Sequence, residues 1–476
     1  MSVEPRRVDV AVLGAGTAGL AAERHARRNG ARTLLIDPDF AGTTCATVGC
    51  MPSKLLIAAG EAADGVRRAG EFGISAEPHV DGRAVMARLR RLRDDFAQGV
   101  REDIAALPDG TCIRACARFE APGVLALNNG ERVEARSVVI ATGSRSALPA
   151  PYEAVAEHVL TNATIFELEA LPDTLGVIGA GPLGLEMAQA MHRLGVRVEL
   201  FDAGKRLAGL PEETSAALFD SLTQEFPMHL GCKPDPAPHE DGVALHWSGG
   251  EARFDKILLA AGRPPNLEAL ALENAGLELD DHGTPHFDPA TMQCGDAPVF
   301  IAGDANHHRP LLHEASQEGT IAGRNASAYP DLRRAARKVP LSIAFTHPAA
   351  AVVGMVPERD DSAHVTGQVD YSDQGRAVVM GQAHGIVRLH AGASDGRLVG
   401  ASLCAPGGEH LAHLLAWLIQ KDVTASEALD LPFYHPTLEE GLKTALQQIC
   451  ERCGEPRPWQ RDDDSLPGSG RGGSDA

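Results

Sequence analysis

Between Val8 and Leu13 the chain runs almost entirely apolar, then breaks at Gly14-Ala-Gly16-Thr-Ala-Gly19 and passes into an Ala-rich helical stretch. The same pattern returns at Leu175-Gly-Val-Ile-Gly179-Ala-Gly181-Pro-Leu-Gly184. An apolar run, a Gly-x-Gly-x-x-Gly turn and a helix predict a strand buried on both faces, packed against a helix. Each copy is followed by a second apolar run ending in an acid, Leu34-Leu-Ile-Asp37 and Val198-Glu-Leu-Phe-Asp202. Asp37 lies 23 residues after Gly14 and Asp202 lies 23 after Gly179, so the copies are offset by 165. Further on, Val299-Phe-Ile-Ala-Gly303-Asp304 predicts a short strand, and His313 to Asn325 a helix. From about 338 the pattern changes to short alternating apolar segments, such as Ala377-Val-Val-Met and Ile386-Val-Arg-Leu, with helical stretches at 408–421 and 436–452. That change predicts an α+β unit.

The glycine spacing carries chemistry. It permits a tight turn, close approach of backbone to a pyrophosphate, and close packing of helix on strand, while the acid holds a ribose hydroxyl. One copy alone is a weak signal; two copies with matched acids predict two dinucleotide sites. Their contacts are expected from Gly14, Gly16, Gly19 and Asp37 in the first and Gly179, Gly181, Gly184 and Asp202 in the second. A carboxylate repels a 2′-phosphate, so Asp202 favours NAD over NADP, a preference softened by Lys205 and Arg206.

Composition narrows the partners. The chain has 476 residues, with 64 acidic against 44 basic side chains and a net charge of −20. That surface excludes nucleic acid and anionic membrane as main partners, since both need Lys/Arg-rich faces. No apolar run approaches the roughly 20 residues that span a bilayer. Arg6 and Arg7 before the small-apolar stretch from Val10 to Ala22 imitate a signal peptide. The recurrence of the pattern deep inside the chain assigns it to the fold, so the expected compartment is the cytoplasm.

Nine cysteines are too few for a disulfide scaffold. The pair Cys45 and Cys50 stands out, because the stretch after Pro52 is helical and places Cys50 near a helix N-terminus, which favours thiolate. A closable pair beside a dinucleotide suggests electron exchange between sulfur and cofactor. Two buried small hydrophobes would be the ordinary alternative. A metal site lacks a second pair spaced to complete four ligands. Cys112-x-x-x-Cys116 reads as structural, on one face of a strand. Cys450-x-x-Cys453 reads as two thiols at a helix end rather than an electron-relaying tail. His307-His308 reads as a solvated turn.

Gly-x-x-Cys45-x-x-x-x-Gly-Cys50-x-Pro-Ser-Lys54 closely resembles the redox-active disulfide of the pyridine nucleotide-disulfide oxidoreductases. Its Pro-Ser-Lys ending resembles dihydrolipoyl dehydrogenases and mercuric reductases more than glutathione reductases. The resemblance extends over about residues 8–452. It includes Ala141-Thr142-Gly143, Ala261-Gly262-Arg263-Pro264-Pro265-Asn266, Gly303-Asp304, Phe345-Thr346-His347-Pro348 and His435-Pro436-Thr437-Leu438-Glu439-Glu440. Two departures are Phe433, where the family often has His, and Ala41 in place of Gly before Gly42.

The implied fold is α/β: two Rossmann-like dinucleotide-binding domains and a C-terminal α+β dimerisation domain. Residues 1–150 begin an FAD-binding domain, 151–265 form an NAD-binding domain, and 266–337 return to the FAD-binding/central domain. Residues 338–455 form the dimerisation domain, and 456–476 a disordered tail. The implied cofactors are FAD, contacted also by Thr142, Gly143, Asp304 and Lys54, and NAD, near Gly262. The implied assembly is a homodimer whose active site takes Cys45 and Cys50 from one subunit and His435 of the partner subunit. Lys54 would pair with Glu186 beside the flavin. By itself Thr437-x-x-Glu440 reads as an N-capping box. With the cysteines present, His435 reads as a base oriented by Glu440. The expected activity is dihydrolipoyl dehydrogenase-like, with electrons passing from a small dithiol or lipoyl-bearing protein to NAD+. Alternatives are an NAD(P)H-dependent reductase of a protein disulfide or metal ion, and a non-enzymatic flavoprotein subunit.

Overall fold

A computed structural model describes residues 4–456. Residues 457–476, on which the expectation of a disordered tail falls, lie outside it.

The first apolar run forms the strand Arg6–Leu13. It pairs in parallel with Thr33–Asp37 on one side and Arg132–Ile140 on the other. Its alternate residues serve different cores. Val10 and Val12 face Ala18, Ala22 and Ala26 of the helix Thr17–Arg28, while Ala11 and Leu13 pack with Leu34 and Ile36. Both faces are thus buried, as the unbroken apolar run requires. Cys112–Arg114 extends this sheet beyond Thr33–Asp37. At the far edge, the C-terminal half of Arg132–Ile140 pairs with Val299–Ile301, and its N-terminal half with Val124–Leu127. The chain therefore leaves this sheet and returns to it.

A five-stranded parallel sheet is built in between, in the order Met228–Leu230, Arg197–Asp202, Thr174–Ile178, Lys256–Leu259, Val159–Leu160. A small antiparallel sheet, Asp235–His239, Gly242–Trp247 and Gly250–Phe254, lies beside it. The last unit is a five-stranded antiparallel sheet, packed against the helices Gly408–Gln420 and Gly441–Cys453. In the parallel parts of both sheets strand order reverses beside the strand that precedes the glycine turn. Such a reversal opens a crevice where ligands bind.

Local readings differ from the structure in three places. Ala377-Val-Val-Met belongs to a short helix, Gly375–Val379, because Gln374 caps the Ala377 amide and turns the backbone. Cys112 and Cys116 do not share a strand. The first strand ends at Arg114, and Cys116 sits exposed before Ala117–Ala121. The final helix begins at Gly441, not near 436, a shift that bears on the candidate base below. No helix among the described residues is long and apolar enough to cross a membrane.

The helices Thr17–Arg28 and Leu312–Ala328 touch backbone to backbone. A Cβ on Gly319 would stand 2.1 Å from the Ala18 carbonyl oxygen, and one on Gly323 2.1 Å from that of Ala22. Neither neighbour can yield without moving a helix. Gly323→Ala is therefore expected to destabilise the protein by roughly 1–3 kcal/mol, the usual range for overpacking. Urea unfolding would measure it, and an unchanged midpoint would contradict the packing.

Candidate active site

The two glycine turns are near-copies in three dimensions. A Cβ on Gly14 would meet the Ala141 carbonyl oxygen at 2.4 Å, and one on Gly179 that of Ala260 at 2.5 Å. Both residues also adopt positive φ, +102° and +115°. Gly19 and Gly184 sit so close to the preceding turn that a Cβ would lie 1.9 Å from the carbonyl oxygen of Gly14 or Gly179. By contrast, the middle glycines, Gly16 and Gly181, have no atom within 4 Å of where a Cβ would be. The outer glycines press helix onto strand, and the middle one opens onto a cradle at a helix N-terminus, where a diphosphate fits.

Each acid braces its own turn. Asp37 accepts the Ala15 amide at 2.8 Å, and Asp202 accepts that of Ala180 at 2.6 Å. Around the first cradle, the Thr142 hydroxyl is buried without a partner, a donor left for a ligand. Asn266 fixes that stretch, its side-chain amide donating to the Thr142 carbonyl and its backbone amide to that of Gly143. Asp304 accepts from Arg263 at 2.6 Å and Ser144 at 2.8 Å. The neighbouring Gly303 amide is held at 2.8 Å by Glu318, a fully buried carboxylate that sequence reading missed. In the second unit, Gly262 follows the Lys256–Leu259 strand with φ of +120°.

Cys45 lies in a single helical turn, Thr44–Thr47, and Cys50 is the first residue of the helix Cys50–Arg68. The two thiols are electrostatic neighbours. The Cys45 thiol holds Cys50 down to about 6, opposed by burial and helped by the Lys54 ammonium. Cys45 is pushed up by its neighbour and by burial. The pair therefore keeps its proton on Cys45 and its negative charge on Cys50. One turn into the helix, Lys54 donates to Glu186 at 2.8 Å.

His435 and Glu440 form a second group. The imidazole Nδ1 lies 2.9 Å from Glu440 Oε2, and the Thr437 amide donates to the same oxygen at 3.2 Å. Glu440 is nearly buried, whereas 40% of the His435 side chain is exposed. With Nδ1 turned to a carboxylate, Nε2 is the nitrogen left to take a proton. The capping-box reading fails. Glu440 itself stands at the N-cap of Gly441–Cys453, and the Thr437 hydroxyl is buried without a partner. Glu440 instead ties His435 and the Thr437 amide together. Two residues invisible to motif reading hold this loop: Tyr371 donates to the Leu438 carbonyl at 2.8 Å, and Gln374 to that of Thr437 at 2.7 Å.

Among the described residues no hydrogen bond or ion pair joins His435 to the cysteine pair within one chain. Elsewhere, Cys450 is buried in the C-terminal core, which leaves no mobile dithiol with Cys453. His307 and His308 are exposed, and no group of metal-ligating side chains occurs among the described residues.

Residues 8–319 match the pyridine nucleotide-disulphide oxidoreductase family, and residues 340–446 match its dimerisation domain. The chain belongs to that family. FAD and NAD are accordingly its cofactors, and the dimerisation domain supports a homodimer. The chain is 30% identical to a dihydrolipoyl dehydrogenase of Haloferax volcanii, over 92% of this chain and 95% of the relative. It is 31% identical to a mercuric reductase of Acidithiobacillus ferrooxidans, over 93% of this chain and 82% of the relative. In fold it is similar to LpdA from Mycobacterium tuberculosis, with a TM-score of 0.81 and 23% identity over 93% of this chain and 99% of that one.

Two outcomes follow for this oxidoreductase. Glu440→Gln keeps an acceptor for the Thr437 amide but removes the charge facing His435. Turnover should fall at least tenfold while the melting temperature stays near that of the parent; unaltered turnover would reduce Glu440 to a loop brace. Asp202→Ala removes the carboxylate expected to disfavour a 2′-phosphate and leaves Lys205 and Arg206. The kcat/KM ratio of NADP to NAD should rise, and a ratio that stays level would contradict the ribose assignment.

Proposed function

We propose that this flavoenzyme is a dihydrolipoyl dehydrogenase-like dithiol:NAD+ oxidoreductase. The observation that carries the reading is the pairing of a polarised cysteine couple with an imidazole whose Nδ1 is pinned to a nearly buried carboxylate. Thiols react as thiolates, so a dithiol substrate needs a base, and a resident disulfide needs one sulfur suited to leave.

In this reading Gly14, Gly16, Gly19, Asp37, Thr142, Gly143, Asp304 and Lys54 hold FAD. Gly179, Gly181, Gly184, Asp202 and Gly262 hold NAD. His435 of the partner subunit takes a proton from the first substrate thiol at Nε2, and Glu440 stabilises the resulting imidazolium. The substrate thiolate attacks Cys45 of the Cys45–Cys50 disulfide. The S–S bond breaks, and Cys50 leaves as thiolate, the sulfur that Lys54 favours in charged form. The second substrate thiol then attacks the mixed disulfide, releasing substrate disulfide and Cys45. Two electrons now rest on the enzyme dithiol. Giving them up re-forms the Cys45–Cys50 bond and releases the Cys45 proton; FAD, when bound, would supply the two-electron relay to NAD+. The sum is dithiol plus NAD+ to disulfide, NADH and one proton. Nine cysteines in 476 residues are too few for a disulfide scaffold and suit the reducing cytoplasm that we propose as its setting.

Similarity to a mercuric reductase supports a second direction, from NAD(P)H to a metal ion or protein disulfide. Steady-state assays separate the two: dihydrolipoamide with NAD+ against mercuric ion or a protein disulfide with NADH or NADPH. Absence of dihydrolipoamide turnover would sink the first reading. Within it, Cys45→Ser should abolish turnover yet keep a thiolate–flavin absorption band, and Cys50→Ser should lose the band while retaining FAD. In the dithiol-reduced enzyme that band should be present above about pH 6 and fade below it, because Cys50 is ionised on the alkaline side of its lowered pKa.

A further inference from the structure

The Lys54–Glu186 pair has a third member. Phe345 donates its backbone amide to Glu186 Oε1 at 2.9 Å, while Lys54 donates to Oε2 at 2.8 Å. The Phe345 ring also lies against the same ammonium, its centroid 4.3 Å from Lys54 Nζ. One residue thus meets both ends of the ion pair, the anion with its backbone and the cation with its ring. Glu186 is 4% exposed, a burial that a carboxylate tolerates only with its oxygens satisfied. Lys54 is 34% exposed, and a flexible ammonium in that setting is confined by the two surfaces it touches.

Phe345 is itself gripped. Gln189 lies on the helix Pro182–Arg193, three residues after Glu186 and on the same face. Its side-chain oxygen accepts the His347 amide at 2.8 Å, and its nitrogen donates to the His347 carbonyl at 2.8 Å. That nitrogen also donates to Glu225 at 2.7 Å, and Glu225 takes two bonds from Arg193. The segment from Phe345 to His347 therefore runs along the helix and is fastened at both ends, to Glu186 and to Gln189.

We propose that Phe345 positions the Lys54 ammonium beside Cys50, and that Gln189 holds Phe345 in place through His347. The inference rests on the reading above, in which the Cys50 thiolate faces the flavin. The Cys45 thiol favours charge on Cys50 and burial opposes it, while the Lys54 ammonium favours it by attraction and Glu186 opposes it by repulsion. Loss of the ring frees Lys54 to sample positions further from the sulfur, while Glu186 stays.

The test is a pH titration of the long-wavelength thiolate–flavin absorbance in the FAD-loaded, dithiol-reduced enzyme, run beside a thermal unfolding curve. Phe345→Leu keeps the amide and an apolar side chain but removes the π face. Its titration midpoint should rise by about half a unit, roughly a threefold loss of thiolate below the midpoint. Phe345→Tyr restores the ring and should titrate with the parent. Gln189→Ala acts from the other end of the segment and should shift the midpoint in the same direction, which keeps the idea testable if Phe345→Leu does not fold. A stable, FAD-loaded Phe345→Leu or Gln189→Ala enzyme with the parent's midpoint overturns the proposal. A parent enzyme with no such band overturns the functional reading itself, and this inference with it.

Discussion

One nearly buried carboxylate holds three parts of this chain in register. Glu186 belongs to the helix behind the second glycine turn, takes a proton donor from Lys54 in the helix of the cysteine pair, and another from the amide of Phe345 at the edge of the C-terminal unit. A carboxylate so placed is costly unless both oxygens are served, and removal of one partner leaves the charge stranded. The alignment of these parts is therefore not adjustable piece by piece. Lys54 and the Phe345 amide each occupy one oxygen of Glu186, so all three groups share one position.

The same economy of charge governs both reactive pairs. In each, one partner fixes the state of the other. In the proposed mechanism the proton stays on Cys45 and the charge on Cys50, and Glu440 occupies one imidazole nitrogen so that the other can accept a proton. Placing Cys50 at the first residue of a long helix adds the favourable end of the helix dipole to Lys54. Neither pair depends on an exotic group. Each relies on two ordinary side chains brought together by the backbone, His435 and Glu440 at 2.9 Å.

How much of this was visible in the sequence follows from the range of the interactions. The glycine turns, the acids 23 residues on and the cysteines five apart are short-range devices, so spacing alone displays them. Lys54 with Glu186 was legible only through family resemblance, because 132 residues separate them. Gln189, Tyr371 and Glu318 left no local mark, and Phe345 appeared only within a family motif, with no sign of its role. The partners of Gln189 and Phe345 are backbone groups or charges that only the folded chain brings near, and a backbone amide has no signature in sequence. The misread places have local causes too. Ala377-Val-Val-Met has the composition of a strand, but the Gln374 cap turns it into a helix. Thr437-x-x-Glu440 has the spacing of a capping box, but the chain uses Glu440 to hold His435 before the helix begins.

The two nucleotide units must also lie close enough for electrons to pass between their sites, and the packing shows how that closeness is secured. The cysteine-bearing helix Cys50–Arg68 rests directly on Pro182–Arg193, the helix behind the second turn. At their contact Gly60 faces Ala190, where a Cβ would stand 3.0 Å from the Ala190 carbonyl oxygen and 3.4 Å from the Arg193 Cβ. A side chain there would wedge the helices apart. Six residues before Gly60 is Lys54, and four before Ala190 is Glu186. The glycine contact and the ion pair are thus two points of one interface, each fixing the distance the other needs. Arg193 extends the interface, joined to Glu225 at 2.8 Å and to Asp64 of the cysteine-bearing helix at 3.7 Å. Three contacts along one helix pair define its crossing. Since Cys50 opens one of these helices and the second dinucleotide cradle opens the other, fixing the crossing also fixes the separation of the sulfur from the second site.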